Sequence, residues 1–211
     1  MPPSIADRLN QFLHDAGAPP LVPEHGQQFT AYCDLLQKWN ARTNLTAIRG
    51  ENEILNRHFV ESILCAQSIP QNIVSLLDFG SGAGFPGIPI ALLHNEIAVT
   101  LAESQNKKAA FLREAVRTLG LTIKVHSARA ETINDHFDCV TLRAVDNMAQ
   151  ALPAALALLK PEGSLAIMTT TREVESIQQR LPSPIVWQTP IPLPRGTDRV
   201  LLVGRTSSIP L

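Results

Sequence analysis

The chain has little sulfur, and what it has follows no pattern. Three cysteines, Cys33, Cys65 and Cys139, stand far apart in 211 residues, odd in number and without a C-x-x-C. A disulfide framework and a thiolate zinc site are therefore excluded, and a reduced, cytoplasmic protein is expected. The six histidines include no H-x-x-x-H pair, so no metal is assigned. No apolar run approaches the roughly 18 residues that span a bilayer. The opening M-P-P-S-I-A-D-R-L-N lacks the charged-then-apolar order of a signal peptide. Neither membrane nor secretion is expected. Basic and acidic residues nearly cancel, 18 against 19, so composition gives no sign of a nucleic-acid partner. Any such partner must be argued from particular residues.

What is present is the composition of a soluble globular protein, 45% apolar and 18% charged. Its length suits one full α/β domain plus a modest extension. Apolar residues at spacings of three and four predict helices over Ser4–Ala16, Gln27–Trp39 and Glu51–Ser68. From Ile73 the rhythm changes. Short β-rich runs at Ile73–Leu77, Ala98–Ala102, Ile123–Val125, Phe137–Leu142 and Leu165–Met168 alternate with helical patterns at Pro86–Leu93, Lys107–Leu119 and up to Leu159. Such alternation implies βαβ units and a parallel sheet covered on both faces. Ile185–Thr189 and Arg199–Gly204 suggest a final antiparallel pair. We therefore expect an N-terminal helical extension, 1–70, packed with an α/β core, 71–211, as one globular unit.

Residues 76–90 read L-L-D-F-G-S-G-A-G-F-P-G-I-P-I, four glycines and two prolines between apolar runs. Glycine lets backbone approach a ligand, and proline pre-sets a helix start. The turn lies at the carboxyl end of a first parallel strand, where open α/β sheets bind ligands. Gly82 to Gly87 satisfies G-x-G-x-x-G, which by itself suggests a dinucleotide. The longer string from Asp78 to Gly84 is D-x-G-x-G-x-G. An anionic Asp78 in the mouth of the turn suits a cationic ligand such as S-adenosyl-L-methionine better than a pyrophosphate. Glu103 closes the second strand, where both kinds of fold place an acid on ribose hydroxyls. Gly82 is the point of closest backbone approach. A turn serving only helix–strand packing is the alternative.

Several separate blocks resemble one family, the 16S rRNA guanine-N7 methyltransferases, historically called glucose-inhibited division protein B. Lys38-Trp39-Asn40 with Asn44-Leu45-Thr46 is similar to its K-W-N…N-L-T, and Arg57 to Ser62 to its R-H-x-x-D-S, with Glu61 for the usual Asp. Asp78 to Pro89, Glu103-Ser104 with Lys107, Arg129-Ala130-Glu131 and Arg143-Ala144 fit further blocks. Thr169-Thr170 departs from a common Lys-Gly. The resemblance implies a class I S-adenosylmethionine-dependent methyltransferase core, Rossmann-like with a mostly parallel seven-stranded sheet. It implies methylation of one guanine near the decoding site, on 16S rRNA, the small ribosomal subunit or its assembly intermediate. Donor contacts carry over to Gly80, Phe85, Ala130, Glu131 and Arg143; Asp78, Gly82 and Glu103 join them from the physics of the fold. An S-adenosylmethionine-binding regulatory module and an NAD-dependent oxidoreductase are the alternatives.

Single residues keep two readings. Arg143 can hold a carboxylate or phosphate in a forked pair, or form a structural salt bridge. Glu131 can touch the ligand or simply start a helix, and Ala130 would act through its backbone. Trp39 reads as core packing and His58 as a satisfied core histidine. Asn40 and Asn44 read as turn formers that can also shape the pocket. Lys38, Arg42, Arg49 and Arg57, and Arg195, Arg199 and Arg205, form two basic groups that can meet phosphate or solvent. Guanine N7 has a free lone pair, so no catalytic base is expected; aligning it with the methyl should suffice.

Overall fold

The computed structural model describes residues 3–181, 185–194 and 198–207. Helix α1 (Ile5–Asp15) opens on a capping box in which Ser4 and Asp7 each accept the other's backbone N–H. Helix α2 (Pro23–Thr43) has proline in its first turn, where no N–H is needed, and ends at Asn44 in the left-handed region with φ of 52°. The stretch read as one helix over Glu51–Ser68 is interrupted. A π-helical segment, Leu55–Val60, joins α3 (Glu51–Ile54) to α4 (Glu61–Ser68). A wide turn adds a residue without breaking the apolar pattern, so spacing alone does not reveal it.

The alternating part follows as β1 (Ser75–Phe79), α5 (Gly87–Leu93), β2 (Ala98–Ala102), α6 (Asn106–Thr118), β3 (Lys124–His126), β4 (Phe137–Arg143) and α7 (Met148–Ala157). Then come β5 (Leu159–Thr170), α8 (Thr171–Arg180), β6 (Ile185–Trp187), β7 (Ile191–Pro192) and β8 (Arg199–Thr206). The sheet runs β3-β2-β1-β4-β5-β8-β6. The first five strands are mutually parallel, while β8 is antiparallel to β5 and β6. These seven make one continuous path, and the two-residue β7 adds an eighth beside β8. The expected tail pair is present, with β8 wedged between β5 and β6.

Side chains alternate across the sheet. Leu76 joins an apolar cluster with α1 to α6, which includes Leu9, Phe29, Tyr32, Ile88 and Phe111. Leu77 and Phe79 face a second cluster built with α7 and α8. The N-terminal helices thus share one core with the first half of the sheet. Helix α8 answers to no expectation from the sequence, because its string T-R-E-V-E-S-I-Q-Q-R buries only Ile177. A capping box at Thr170 starts it: the Thr169 and Thr170 hydroxyls both donate to Glu173, at 2.6 and 2.9 Å.

Candidate active site

Strand β1 delivers the chain to the glycine turn. Gly80, Gly82 and Gly84 all adopt positive φ, at 71°, 58° and 90°, a region that side chains with a Cβ avoid. Gly84 is also close-packed: a Cβ there would stand 2.5 Å from Ile88 Cδ1 and 2.7 Å from the Tyr32 hydroxyl oxygen. Gly82 differs, since a Cβ would meet only Gly80 O, at 3.9 Å. Its constraint is conformational, and the space above it is open. Pro86 caps α5 and Pro89 falls in its first turn.

Asp78 does not reach the mouth of the turn. It lies beneath, 1% exposed, accepting hydrogen bonds from the Thr141 hydroxyl at 2.8 Å and the Gly87 N–H at 3.2 Å. Burial pushes its carboxyl up to about 6. The side chain organises the turn from inside. Glu103 takes the outward role: one carboxylate oxygen accepts from Gly82 N–H at 2.9 Å and the other from Gln105 N–H at 2.7 Å. Each oxygen keeps a further lone pair for a ligand hydroxyl.

A cavity of about 400 Å³ opens at this edge of the sheet, within the size range of small-molecule sites. Gly80, Gly82, Phe85, Glu103, Ala130, Glu131 and Arg143 all line it; among the sequence-predicted residues only Asp78 does not. Ala130 and Glu131 sit on a short 3-10 turn, Ala130–Thr132. Ala144, directly after β4, has φ of 48°. That kink sets Val145 against Gly80 and brings Asp146 and Asn147 to the rim.

The helical extension supplies another wall, through Leu45, Thr46 and His58. Asn40, buried, accepts from Thr46 N–H at 2.9 Å and donates to Ile48 O at 3.2 Å, while Arg49 donates to Asn40 O and to Asn44. The asparagines therefore shape the loop that carries Thr46 to the cavity. His58 is not the satisfied core histidine expected. Its ring stacks on Phe85 with centroids 4.8 Å apart, its Nε2 lies 2.8 Å from the Thr46 hydroxyl, and its buried Nδ1 has no partner. Burial, with Arg143, Arg57 and Arg199 nearby, holds its pKa well below 6.5, so the ring is neutral. The N-L-T and R-H blocks carried the signal for this wall. Trp39 packs edge-on against Phe111, centroids 5.7 Å apart, as expected of core packing.

Arg143 lines the cavity, yet its fork is engaged inward. It donates to Glu61 and the Ser62 hydroxyl, both at 3.2 Å, and to the carbonyls of Arg57 and His58. Burial lowers its pKa to about 10. Two members of the second basic group do not gather as the sequence suggested. Arg199 and Arg205 lie at opposite ends of β8, roughly 20 Å apart by strand rise, with Arg205 on Glu162. Arg195 lies outside the described residues.

A parallel sheet in this order, with its cavity at the carboxyl ends of β1, β2 and β4, defines the class I S-adenosylmethionine-dependent methyltransferase fold. The O-methyltransferase from Bacillus cereus in complex with SAH has this fold, with a TM-score of 0.67 and 16% identity over 94% of this chain and 97% of that one. A SAM-dependent O-methyltransferase from Thermotoga maritima gives 0.60 at 17% identity over 76% and 72%. The sequence goes further: the family described as rRNA small subunit methyltransferase G, GidB, matches residues 25–189, and the chain belongs to it. The ribosomal RNA small subunit methyltransferase G of Roseiflexus castenholzii is 40% identical over 191 residues, 84% of this chain and 81% of its own. That of Stenotrophomonas maltophilia is 38% identical over 206 residues, 92% and 91%. Among the described residues no helix is long and apolar enough to cross a membrane, and no group of three metal-ligating side chains is found.

Proposed function

We propose that the protein transfers a methyl group from S-adenosyl-L-methionine to N7 of a guanine in 16S rRNA near the decoding site, on the small subunit or its assembly intermediate. The observation that carries this reading is the joining of the open Gly82 backbone and the Glu103 carboxylate in one cavity of a chain from this family. The residues fit that methyl donor. Glu103, whose two oxygens each keep a lone pair at the cavity, suits a hydroxyl-bearing ligand such as a ribose. When bound, S-adenosylmethionine supplies an electrophilic methyl on a sulfonium.

The chain's own part is positioning. Glu103 would orient the ribose, with Gly80, Gly82, Phe85, Ala130, Glu131 and Arg143 as the remaining contacts. Asp78 contributes through the turn. Guanine N7 carries no proton at neutral pH, so no side chain has to remove one. His58, neutral and stacked on Phe85, presents a flat wall instead of a base. An unpaired or splayed guanine is the target, since N7 in an RNA duplex lies in a groove too narrow for side chains.

The test is methyl transfer to purified small subunits, to assembly intermediates and to naked 16S rRNA, with the product nucleoside identified. 7-Methylguanosine is expected. A methyl group on an exocyclic amine would overturn the N7 assignment, and no transfer to small subunits, assembly intermediates or naked 16S rRNA would leave a binding module. Thermal-shift titration with S-adenosylmethionine and NAD separates the oxidoreductase reading.

A further inference from the structure

Glu61 is 1% exposed and meets three arginines. Arg199 grips it with a fork, Nε at 2.9 Å and Nη2 at 2.8 Å; Arg143 Nη2 lies at 3.2 Å and Arg57 Nε at 3.3 Å. Three guanidiniums around one carboxylate leave an excess of positive charge, with Glu61 and Arg143 almost wholly buried and the Arg57 side chain 34% exposed. Among the described residues no other acid forms an ion pair with any of the three. Glu173 and Asp78 act on the group only from farther off. An arrangement of this kind is unfavourable alone, because burying charge without its counterpart is costly. It becomes favourable when an anion completes it.

The position of the group says where that anion comes from. Arg199 opens β8 directly opposite Thr170, the last residue of β5, so it stands at the carboxyl edge of the parallel strands. Arg57 precedes His58, and both His58 and Arg143 line the cavity. The group therefore borders the cavity through Arg143 and the neighbour of Arg57, His58. The hydrogen-bonding capacity of Arg143 is mostly spent. That of Arg57 is not: no hydrogen bond engages its guanidinium among the described residues, its Nε is a buried donor without one, and the side chain is 34% exposed.

We infer that Arg57 and Arg199, held on Glu61 beside Arg143, form a binding site for a backbone phosphate of the RNA substrate. The inference rests on reading that substrate as RNA. Glu61 fixes the arginines in place and Arg57 presents the free fork, a geometry that matches phosphate oxygens in pairs. Thr169-Thr170 does not leave this edge without a cation, since Arg199 supplies one from the neighbouring strand.

The experiment measures 16S rRNA affinity by filter binding across a salt series, alongside S-adenosylmethionine affinity by calorimetry. Arg57→Gln should weaken RNA binding about tenfold, as loss of a charged hydrogen bond does. It should lower the slope of log affinity against log salt by about one and leave methyl-donor affinity unchanged. Arg57→Lys should keep the slope and lose part of the affinity. An unchanged slope in Arg57→Gln overturns the inference. So does a parallel loss of S-adenosylmethionine affinity, which would assign the anion site to the methyl donor's carboxylate. If Arg57→Gln does not fold, inorganic phosphate on the wild type decides: it should displace RNA better than chloride at equal ionic strength, and equal displacement overturns the site. A wild type that methylates small subunits while failing these tests loses only this inference. A wild type that neither binds 16S rRNA nor methylates small subunits loses the proposed function as well.

Discussion

Replacing Asp78 by asparagine tests how the turn is supported. Asp78 is 1% exposed, and burial raises its carboxyl from 3.8 to about 6, against the opposing pull of hydrogen bonds from Thr141 and Gly87 and of the Arg143 charge. Between those two values the folded chain keeps a proton that the unfolded chain has released. The stability this group contributes is therefore complete below the unfolded value and is lost as pH rises through about 6. At 1.36 kcal/mol per pH unit, the loss comes to about 3 kcal/mol. Asp78→Asn cannot ionise. Its one oxygen can accept from Gly87 N–H, while its amide nitrogen would donate to the Thr141 hydroxyl that now donates to the other carboxylate oxygen. That change offsets stability equally at every pH. Urea unfolding of both proteins, from about pH 4 to about pH 7.5, gives the stability difference at each pH. That difference should move in favour of the variant by about 2.4 kcal/mol across the range, the rest of the change lying below about pH 4. Subtraction removes the other titrating groups. His58 is among them, and its depressed pKa works in the opposite direction, its contribution being lost as pH falls. A flat difference curve would show that Asp78 ionises in the fold as easily as in water, and the burial argument would be refuted.

The remaining expectations concern the same edge of the sheet. Gly87→Ala places a Cβ 2.4 Å from Leu101 Cδ2 and 2.8 Å from Asp78 Cβ; overpacking of this kind lowers stability by roughly 1–3 kcal/mol, and an unshifted urea midpoint would contradict it. Glu103→Ala removes the acceptor for Gly82 and the proposed ribose partner, so calorimetry should show S-adenosylmethionine binding about ten- to a hundredfold weaker. Unchanged affinity would move the ribose elsewhere. The single-turnover rate at saturating S-adenosylmethionine and RNA should be nearly flat from about pH 6.5 to 8.5, because N7 needs no base. A tenfold climb per pH unit would point to a titrating base and against N7.

The β–α alternation from Ile73 was legible because buried parallel strands read as short unbroken apolar runs. The glycine turn was legible because its residues violate local propensity together. What escaped lacks a local signature. Helix α8 carries one fully buried apolar residue, Ile177, too few to set a period. Asp78 shares the motif with the glycines, but sequence cannot say that its side chain turns inward to Thr141, 63 residues away. The partner of Arg143, Glu61, stands 82 residues earlier, so the choice between ligand fork and salt bridge had to wait for the fold. His58 fits an apolar helical face by spacing, and the wide turn that contains it aims it at the cavity.

That wide turn makes chain length, as well as residue identity, a determinant of the site. In a regular α-helix each residue advances the side-chain direction by about 100°, and the π-helical Leu55–Val60 absorbs one residue beyond the regular count. Arg57 and His58 lie inside it, and Glu61 follows immediately. A deletion there, even of an inert position, would let the helix close into regular turns. Everything before it would then rotate against everything after. Arg57 and His58 would leave the edge of the cavity while every side chain that now defines it was still encoded. For this segment insertions and deletions are the severe class of change, and substitutions at its neutral positions are the mild one.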